Sequence, residues 1–199
     1  MQSNDQPPAV PLRYRQPKSF ILSKSIFFIA RLDPVEIDDL PDEYQHLLAD
    51  VYDYEILENL YSFQVLAHNP QILQSYLRYG TRLWKEGGLP PRKRQIVLLT
   101  VANNQNDSYV WETHQKIGKI EGLSDEEIDS IKTGKYDEVF SPEECILVEY
   151  AQAVCDKQMD DTVFEEMKET YGAETTVGVT MMAGLYIGSA HALDALDIQ

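Results

Sequence analysis

Signals that begin and end α-helices recur along most of the chain. Ser124 is followed three residues later by Glu127, and Ser141 by Glu144. Each pair predicts a capping box, in which the serine and the acid satisfy the free amides of a first helical turn. The Gly-Gly pair at 87–88 ends an apolar stripe with the 3.6-residue spacing of a helix. These signals predict an all-α, single-domain helical bundle of eight or nine helices.

Two segments are predicted to lie inside that bundle. Residues 96–102 are apolar on every side, a pattern that fits either a buried strand or a buried helix. Helices are predicted on both sides and no second strand is evident, so we predict a helix. Capping signals at Thr162 open a further helix, which is predicted to end at Gly172. The last helix, Glu174 to Leu196, is rich in glycine and alanine, which predicts close helix packing at the centre of the fold or at a subunit contact.

The charge balance excludes some classes of partner. The 199 residues include 33 Asp and Glu against 17 Lys and Arg, a formal net charge of −16. Nucleic-acid binding needs clustered basic residues, and an anionic membrane surface attracts basic segments, so neither partner is expected. An acidic excess keeps a protein soluble at high salt, so a halophilic protein of a salt-rich cytoplasm and an ordinary acidic protein are both compatible with it.

The two cysteines give no disulfide framework. Cys145 and Cys155 are ten residues apart in one predicted helix, a separation of about 15 Å, which is too long for a disulfide. No set of His, Asp and Glu has the spacing of metal ligands. A cytoplasmic location is therefore expected.

Residues 1–29 differ from the rest of the chain. They carry four of the 17 basic residues but one of the 33 acidic ones, and their prolines exclude a long helix. The apolar run 20–30 hints at a signal peptide, but Lys24 interrupts it and residues 31–34 make a poor cleavage site. We therefore predict a poorly ordered extension before a domain at 30–199.

A histidine on the central helix is the best candidate for proton-transfer chemistry. Residues 106–108 predict the start of this helix, because short polar side chains cap free amides. His114 lies at an apolar–polar seam, three residues after Trp111. With no carboxylate partner, its pKa is expected to stay near the ordinary value of about 6.5. The alternative is a structural histidine that donates to a backbone carbonyl.

The order of these signals resembles the carboxymuconolactone decarboxylase family over residues 30–199. The segments that carry the resemblance are Ala30-Arg31-Leu32-Asp33-Pro34, Asp39 to Tyr44, His68-Asn69-Pro70, Arg92 to Ile96, Tyr109-Val110-Trp111-Glu112-Thr113-His114, Gly122-Leu123-Ser124 and Gly184 to Leu193. The central segment is similar to the family's Tyr-Glu-Trp-x-x-His helix. The resemblance implies an alkylhydroperoxidase D-like fold and a homo-oligomer, a trimer or a hexamer.

One branch of that family, the peroxidase branch, carries Cys-x-x-Cys-x-x-x-His and a glutamate twelve residues before the first cysteine. Counted back from His114, these positions hold Asp107, Val110 and Gln95. None of the three supplies a thiolate or a carboxylate, so the chain lacks the redox motif. An antioxidant peroxidase is then an alternative only if Cys145 or Cys155 acts as a displaced thiol.

The decarboxylase branch lacks the cysteines and works by acid–base chemistry. The resemblance implies that His114 and Gln95 are catalytic, and that Tyr109, Trp111, Arg92 and Arg94 bind the substrate, the arginines through a carboxylate. The family's glutamates are replaced by Val110 and Gln95, and Glu112 points to another side of the helix. The leading hypothesis is a decarboxylase of a small carboxylated lactone or related acid, with no metal or redox cofactor. The other alternative is a non-catalytic small-ligand-binding or assembly protein.

Overall fold

The computed structural model of the protein describes residues 30–52 and 60–198. The α-helices in these residues are α1 His46–Tyr52, α2 Leu60–Leu66, α3 Pro70–Glu86, α4 Pro91–Asn104, α5 Ser108–Ile120, α6 Asp125–Thr133, α7 Pro142–Asp156 and α8 Asp161–Ala195. The described residues contain no strand, so the predicted all-α class is confirmed. A single 3-10 turn, Asp42–Tyr44, precedes α1. The predicted extension 1–29 and residues 53–59 lie outside the described residues.

Helix α4 forms the centre of the bundle. Its residues Arg94 to Ala102 are all buried, and it packs against α5, α6, α7 and α8. Ile96 and Leu99 are among its fully buried side chains. Burial of each such side chain stabilises the fold by about 1.5–3 kcal/mol relative to exposure. The predicted interior helix is therefore confirmed, and its Pro91 stands at the first turn, where a missing amide costs no hydrogen bond.

The helix starts follow the capping signals with one exception. Ser124 and Ser141 both form complete capping boxes, as predicted. Asp107 caps α5 by accepting a hydrogen bond from the backbone amide of Val110 at 2.9 Å. The start predicted from Thr162 is wrong, because Asp160 caps α8 instead, with its carboxylate on the amide of Val163.

Helix α8 consists of two helical segments that meet at Gly172. The backbone there has φ 81° and ψ 159°, which is outside the helical region and is accessible to glycine at no steric cost. The predicted end at Gly172 is thus confirmed. The whole of α8 is long and apolar enough to span a bilayer, a test that core helices also pass. It packs against α3, α4 and α7, while Val177 and Met181 are exposed at 63% and 48%, and the predicted subunit contact stays a prediction.

The first described residues are attached to the end of α8. The backbone amide of Arg31 donates to the carbonyl of Leu196 at 2.8 Å, and its guanidinium donates to the carbonyl of Ala195 at 2.8 Å. Ala30 packs in the same apolar cluster as Leu193. The two ends of the described domain therefore lie side by side.

Candidate functional site

A cavity of about 370 Å³ lies between helices α2, α3, α5 and α8. Among the described residues that line it, no side chain is charged at neutral pH. Its polar groups are one imidazole, of His114, and the hydroxyls of Ser62, Tyr76, Tyr109, Thr113, Tyr186 and Ser189. The remaining lining residues are apolar or glycine, with Ile72 exposed at its edge. Such a lining suits a small, largely apolar molecule.

The imidazole of His114 is fixed by a buried amide. His114 lies on α5 and is 4% exposed, and its Nδ1 is 2.8 Å from Oε1 of Gln95, which is fully buried on α4. An amide oxygen only accepts, so Nδ1 carries the proton and donates it to Gln95. In the neutral ring this leaves the lone pair on Nε2. The neutral ring can thus accept a hydrogen bond or a proton at Nε2.

Two aromatic side chains hold the imidazole in place. The ring centroid of Tyr186 lies 5.2 Å away and meets the imidazole edge-on at 70°. The ring of Trp84 lies 6.1 Å away. The indole N–H of Trp84 donates to the hydroxyl of Tyr186 at 3.2 Å, which joins the two aromatic groups. The imidazole therefore has little freedom to turn.

Burial, together with the positive charge of Arg94, lowers the pKa of His114 to about 3. The sequence-based expectation of a pKa near 6.5 does not hold, because it took no account of complete burial. Removing the imidazolium from water is costly, so the neutral ring is favoured. His114 is consequently a neutral base throughout the physiological pH range.

This low pKa predicts a specific loss of stability in acid. Between pH 6.5 and pH 3 the unfolded chain binds about one more proton at His114 than the folded protein does. The contribution of the neutral His114 to the stability of the folded protein is therefore complete above pH 6.5 and declines as the pH falls. We expect urea unfolding to show that wild type loses about 2 kcal/mol more than His114→Gln between pH 7 and pH 5. Equal losses in the two proteins would contradict the low pKa, since the carboxylates titrate alike in both.

Of the residues predicted to bind substrate, Tyr109 lines the cavity. Its hydroxyl accepts a hydrogen bond from the backbone amide of Ser62 at 3.3 Å. Trp111 does not line the cavity. Its indole N–H donates to Gln115 at 3.0 Å, and the ammonium of Lys132 lies 5.6 Å from its ring centroid.

The structure does not bring the two arginines to the cavity lining. The guanidinium of Arg92 is bound to Glu127 and to the carbonyl of Gly122, and its Nε is 3.1 Å from Glu144. These bonds join α4 to α6 and α7. Arg94 is buried, and its Cζ lies 4.2 Å from the ring centroid of Trp84. Both side chains already have partners within the described part of the chain, so the proposed carboxylate clamp is not formed here.

Sequence reasoning missed four residues of the site. Trp84 of α3 and Tyr186 of α8 were not predicted as site residues. Tyr76 and Ser189, whose hydroxyls are 2.9 Å apart across the cavity wall, were not singled out. The one available signal was the polar end of these side chains within otherwise apolar stripes, which requires a partner when buried.

The cysteines are predicted to be unreactive in the folded protein. Cys145 and Cys155 are free and half-buried, and burial raises the pKa of both thiols, that of Cys155 to about 11. Thiolates are the reactive form, so we expect iodoacetamide to label both at pH 7 at least about tenfold more slowly than free cysteine. Labelling in urea is the control. Rapid labelling of the native protein would support the alternative of a peroxidase with a displaced thiol.

Within residues 30–52 and 60–198, no three His, Cys, Asp or Glu side chains group as metal ligands do.

Comparison with known proteins gives a family match for part of the chain and several solved structures with the same fold. Residues 70–145 match the model of the carboxymuconolactone decarboxylase family, and no curated protein matches the sequence. An alkylhydroperoxidase AhpD core protein from Ralstonia eutropha JMP134, uncharacterized and peroxidase-related, superposes with a TM-score of 0.75 at 18% identity, over 86% of this chain and 92% of that one.

Two further solved structures share the fold. An AhpD protein of unknown function from Agrobacterium tumefaciens gives a TM-score of 0.62 at 18% identity, over 66% of this chain and 92% of that one. A variant of the debrominase Bmp8, in complex with 2,3,4-tribromopyrrole, gives a TM-score of 0.73 at 12% identity, over 84% of this chain and 89% of that one. The matched segment contains helices α3 to α6 with His114 and Gln95. Residues 70–145 therefore match the carboxymuconolactone decarboxylase family, and the chain has the alkylhydroperoxidase D-like fold.

Proposed function

We propose that this protein is an enzyme that moves a proton on a small organic substrate, and that the reaction is decarboxylation of a carboxylated lactone or related acid. The observation that carries the proposal is the imidazole of His114. It is buried and neutral, its Nδ1 is occupied by Gln95, and it lines a cavity of substrate size. The reaction class is supported by the family whose model residues 70–145 match.

The uncharged lining favours the neutral form of the substrate acid. A carboxylate that enters the cavity loses its hydration, and among the described residues no cationic side chain lines the wall to replace it. The carboxylic acid form carries no net charge and enters at a lower cost. Binding therefore selects R–COOH over R–COO⁻.

Proton transfer to His114 then starts the reaction. The carboxyl O–H gives its proton to Nε2, the bond between carbon and the carboxyl group breaks, and its electron pair moves into the conjugated lactone as CO2 leaves. The imidazolium returns the same proton to carbon, so that R–COOH becomes R–H and CO2 and the imidazole is restored. Because the pKa of His114 is about 3, the imidazolium is a strong acid and gives the proton up readily.

Gln95 has a defined part in this cycle. Its amide oxygen holds Nδ1 and so directs Nε2 to the substrate. A carboxylate at this position would stabilise the imidazolium and retain the proton, whereas an amide adds no charge. The glutamine is thus compatible with a shuttle that must release its proton.

A second candidate is a non-catalytic protein that binds a small uncharged ligand. The uncharged lining and the amide in place of the family's glutamate favour it. In this case the Nε2 lone pair accepts a hydrogen bond from the ligand and no bond is broken.

The test is release of CO2 from a panel of carboxylated butenolides, measured at high and at low salt. We expect turnover that falls about tenfold per pH unit above the pKa of the substrate acid, as the neutral form is depleted. The matching methyl esters serve as controls, since they enter the cavity but have no proton to give. If no acid were turned over and an ester raised the melting temperature, the decarboxylase proposal would be wrong and the non-catalytic binding protein would be favoured.

A further inference from the structure

A buried guanidinium lies behind the aromatic wall of the site. Arg94 is 7% exposed, and its Cζ is 4.2 Å from the ring centroid of Trp84. One guanidinium nitrogen donates to the backbone carbonyl of Trp84 at 2.8 Å. The same side chain thus binds both the backbone and the ring of Trp84, which requires the flat, forked shape of an arginine.

The carboxylate opposite Arg94 compensates its charge only in part. Glu121 approaches the guanidinium at 3.4 Å through one oxygen. The other oxygen of Glu121 and Nε of Arg94 are buried and have no hydrogen-bond partner in the described residues. A buried ion pair of this loose geometry leaves a positive potential in its surroundings, because the low dielectric screens it weakly.

A continuous set of contacts links Arg94 to the imidazole. Trp84 contacts Arg94 on one side and His114 on the other, and the ring centroids of Trp84 and His114 are 6.1 Å apart. Trp84 also donates to Tyr186, which meets the imidazole edge-on. Displacement of Arg94 would therefore move both aromatic groups that hold the ring of His114.

The other titratable groups around the imidazole are phenols. Tyr76 on α3 and Tyr186 on α8 line the cavity with Tyr109 of the histidine's own helix. Burial raises the pKa of Tyr76 and of Tyr186, so both are neutral at physiological pH. Among the described groups, the charge that acts on His114 is that of Arg94.

We propose that Arg94 is a positioning residue: from behind Trp84 its buried cation holds the indole against His114 and keeps the imidazole in its neutral, proton-accepting form. The proposal rests on the proposed function of His114 as the proton acceptor. It replaces the role in substrate binding that the sequence implied for this arginine. The positive charge of Arg94 opposes protonation of His114, which would place a second positive charge nearby. The ring therefore stays available as a base.

The test is a proton NMR titration of the Cε1–H signal of His114, which is assigned by its absence in His114→Gln. Three variants are compared: Glu121→Gln, the double variant Arg94→Met with Glu121→Gln, and Arg94→Lys. The double variant removes both charges together, since Arg94→Met alone would leave a buried carboxylate unpaired. The titration needs no substrate, so it tests the role of Arg94 even when no lactone is turned over.

We expect the wild type and Glu121→Gln to show almost no titration of His114 between pH 8 and pH 4, because a midpoint near 3 lies below this range. The double variant should raise the midpoint by about one pH unit or more. Arg94→Lys keeps the charge but loses the flat fork, so the midpoint should stay low while kcat falls about tenfold at nearly unchanged KM.

Two results would overturn the proposal. One is a folded double variant in which the titration of His114 is the same as in wild type. The other is Arg94→Lys with kcat, KM and pH profile all unchanged, which would reduce Arg94 to a structural ion pair. Absence of turnover in every protein, with the expected titration shifts, would overturn the proposed function and leave the electrostatic role of Arg94 in place.

Discussion

Replacing His114 with glutamine is expected to lower kcat/KM for the substrate acid at least about a hundredfold while the protein remains folded. Glutamine fills part of the imidazole's space and can still bond to the amide of Gln95. It has no group that accepts a proton from a carboxylic acid, so the first step of the proposed cycle is lost. The measurement is steady-state CO2 release, with circular dichroism and melting temperature to confirm the fold.

The matched control is His191→Gln. His191 lies on α8, is exposed and contacts Gln105 at 3.1 Å, outside the cavity lining. It should retain wild-type kinetics. If His114→Gln turned over substrate as fast as this control, His114 would be a structural histidine and the proposed mechanism would be wrong.

Gly178→Ala is expected to destabilise the protein by at least about 2 kcal/mol. A Cβ at this position would stand 2.4 Å from the carbonyl oxygen of Gly87 and 2.9 Å from its carbonyl carbon and Cα. These are backbone atoms, which cannot turn aside as a flexible side chain can. The end of α3 and helix α8 must therefore move apart, and the fall in melting temperature should exceed about 4 °C.

Gly184→Ala on the same helix is the control for this prediction. No atom of the described residues lies within 4 Å of a Cβ built there, so the substitution meets open space. Alanine loses less backbone entropy than glycine on forming a helix, and the change should be neutral or stabilising by up to about 1 kcal/mol. If both variants melted alike, close backbone contact at Gly178 would not be what holds α3 to α8.

The part of the fold that could be predicted is the part that depends on local sequence. Capping boxes at Ser124 and Ser141, and the end at Gly172, involve residues a few positions apart, so the signal and its structural result lie in one window. The error at Thr162 has the same origin, since Asp160 offered a competing cap two residues earlier. Local reasoning ranks such competitors poorly, because both bond to nearby amides.

The site was predictable only where a family pattern supplied the spacing. That pattern paired His114 with Gln95, whose hydrogen bond the structure contains. The contacts of His114 with Trp84 and Tyr186 depend on the packing of α3 against α8, about one hundred residues later in the chain. The ion pairs of Arg92 depend on acidic side chains from two other helices, and the pKa of His114 depends on its burial. These are properties of the assembled core.

The attachment of Arg31 to the end of α8 has a practical consequence for measuring ligand entry. Ala195, whose carbonyl accepts from Arg31, is exposed, and it is three residues from Ala192 and two from Leu193 in the cavity wall. A fluorophore on a cysteine introduced at Ala195 would stand beside the cavity without entering it. Because burial holds both native thiols in their unreactive form, the dye would attach at one position. The protein thus offers a labelling site for an optical sensor of its own unknown ligand.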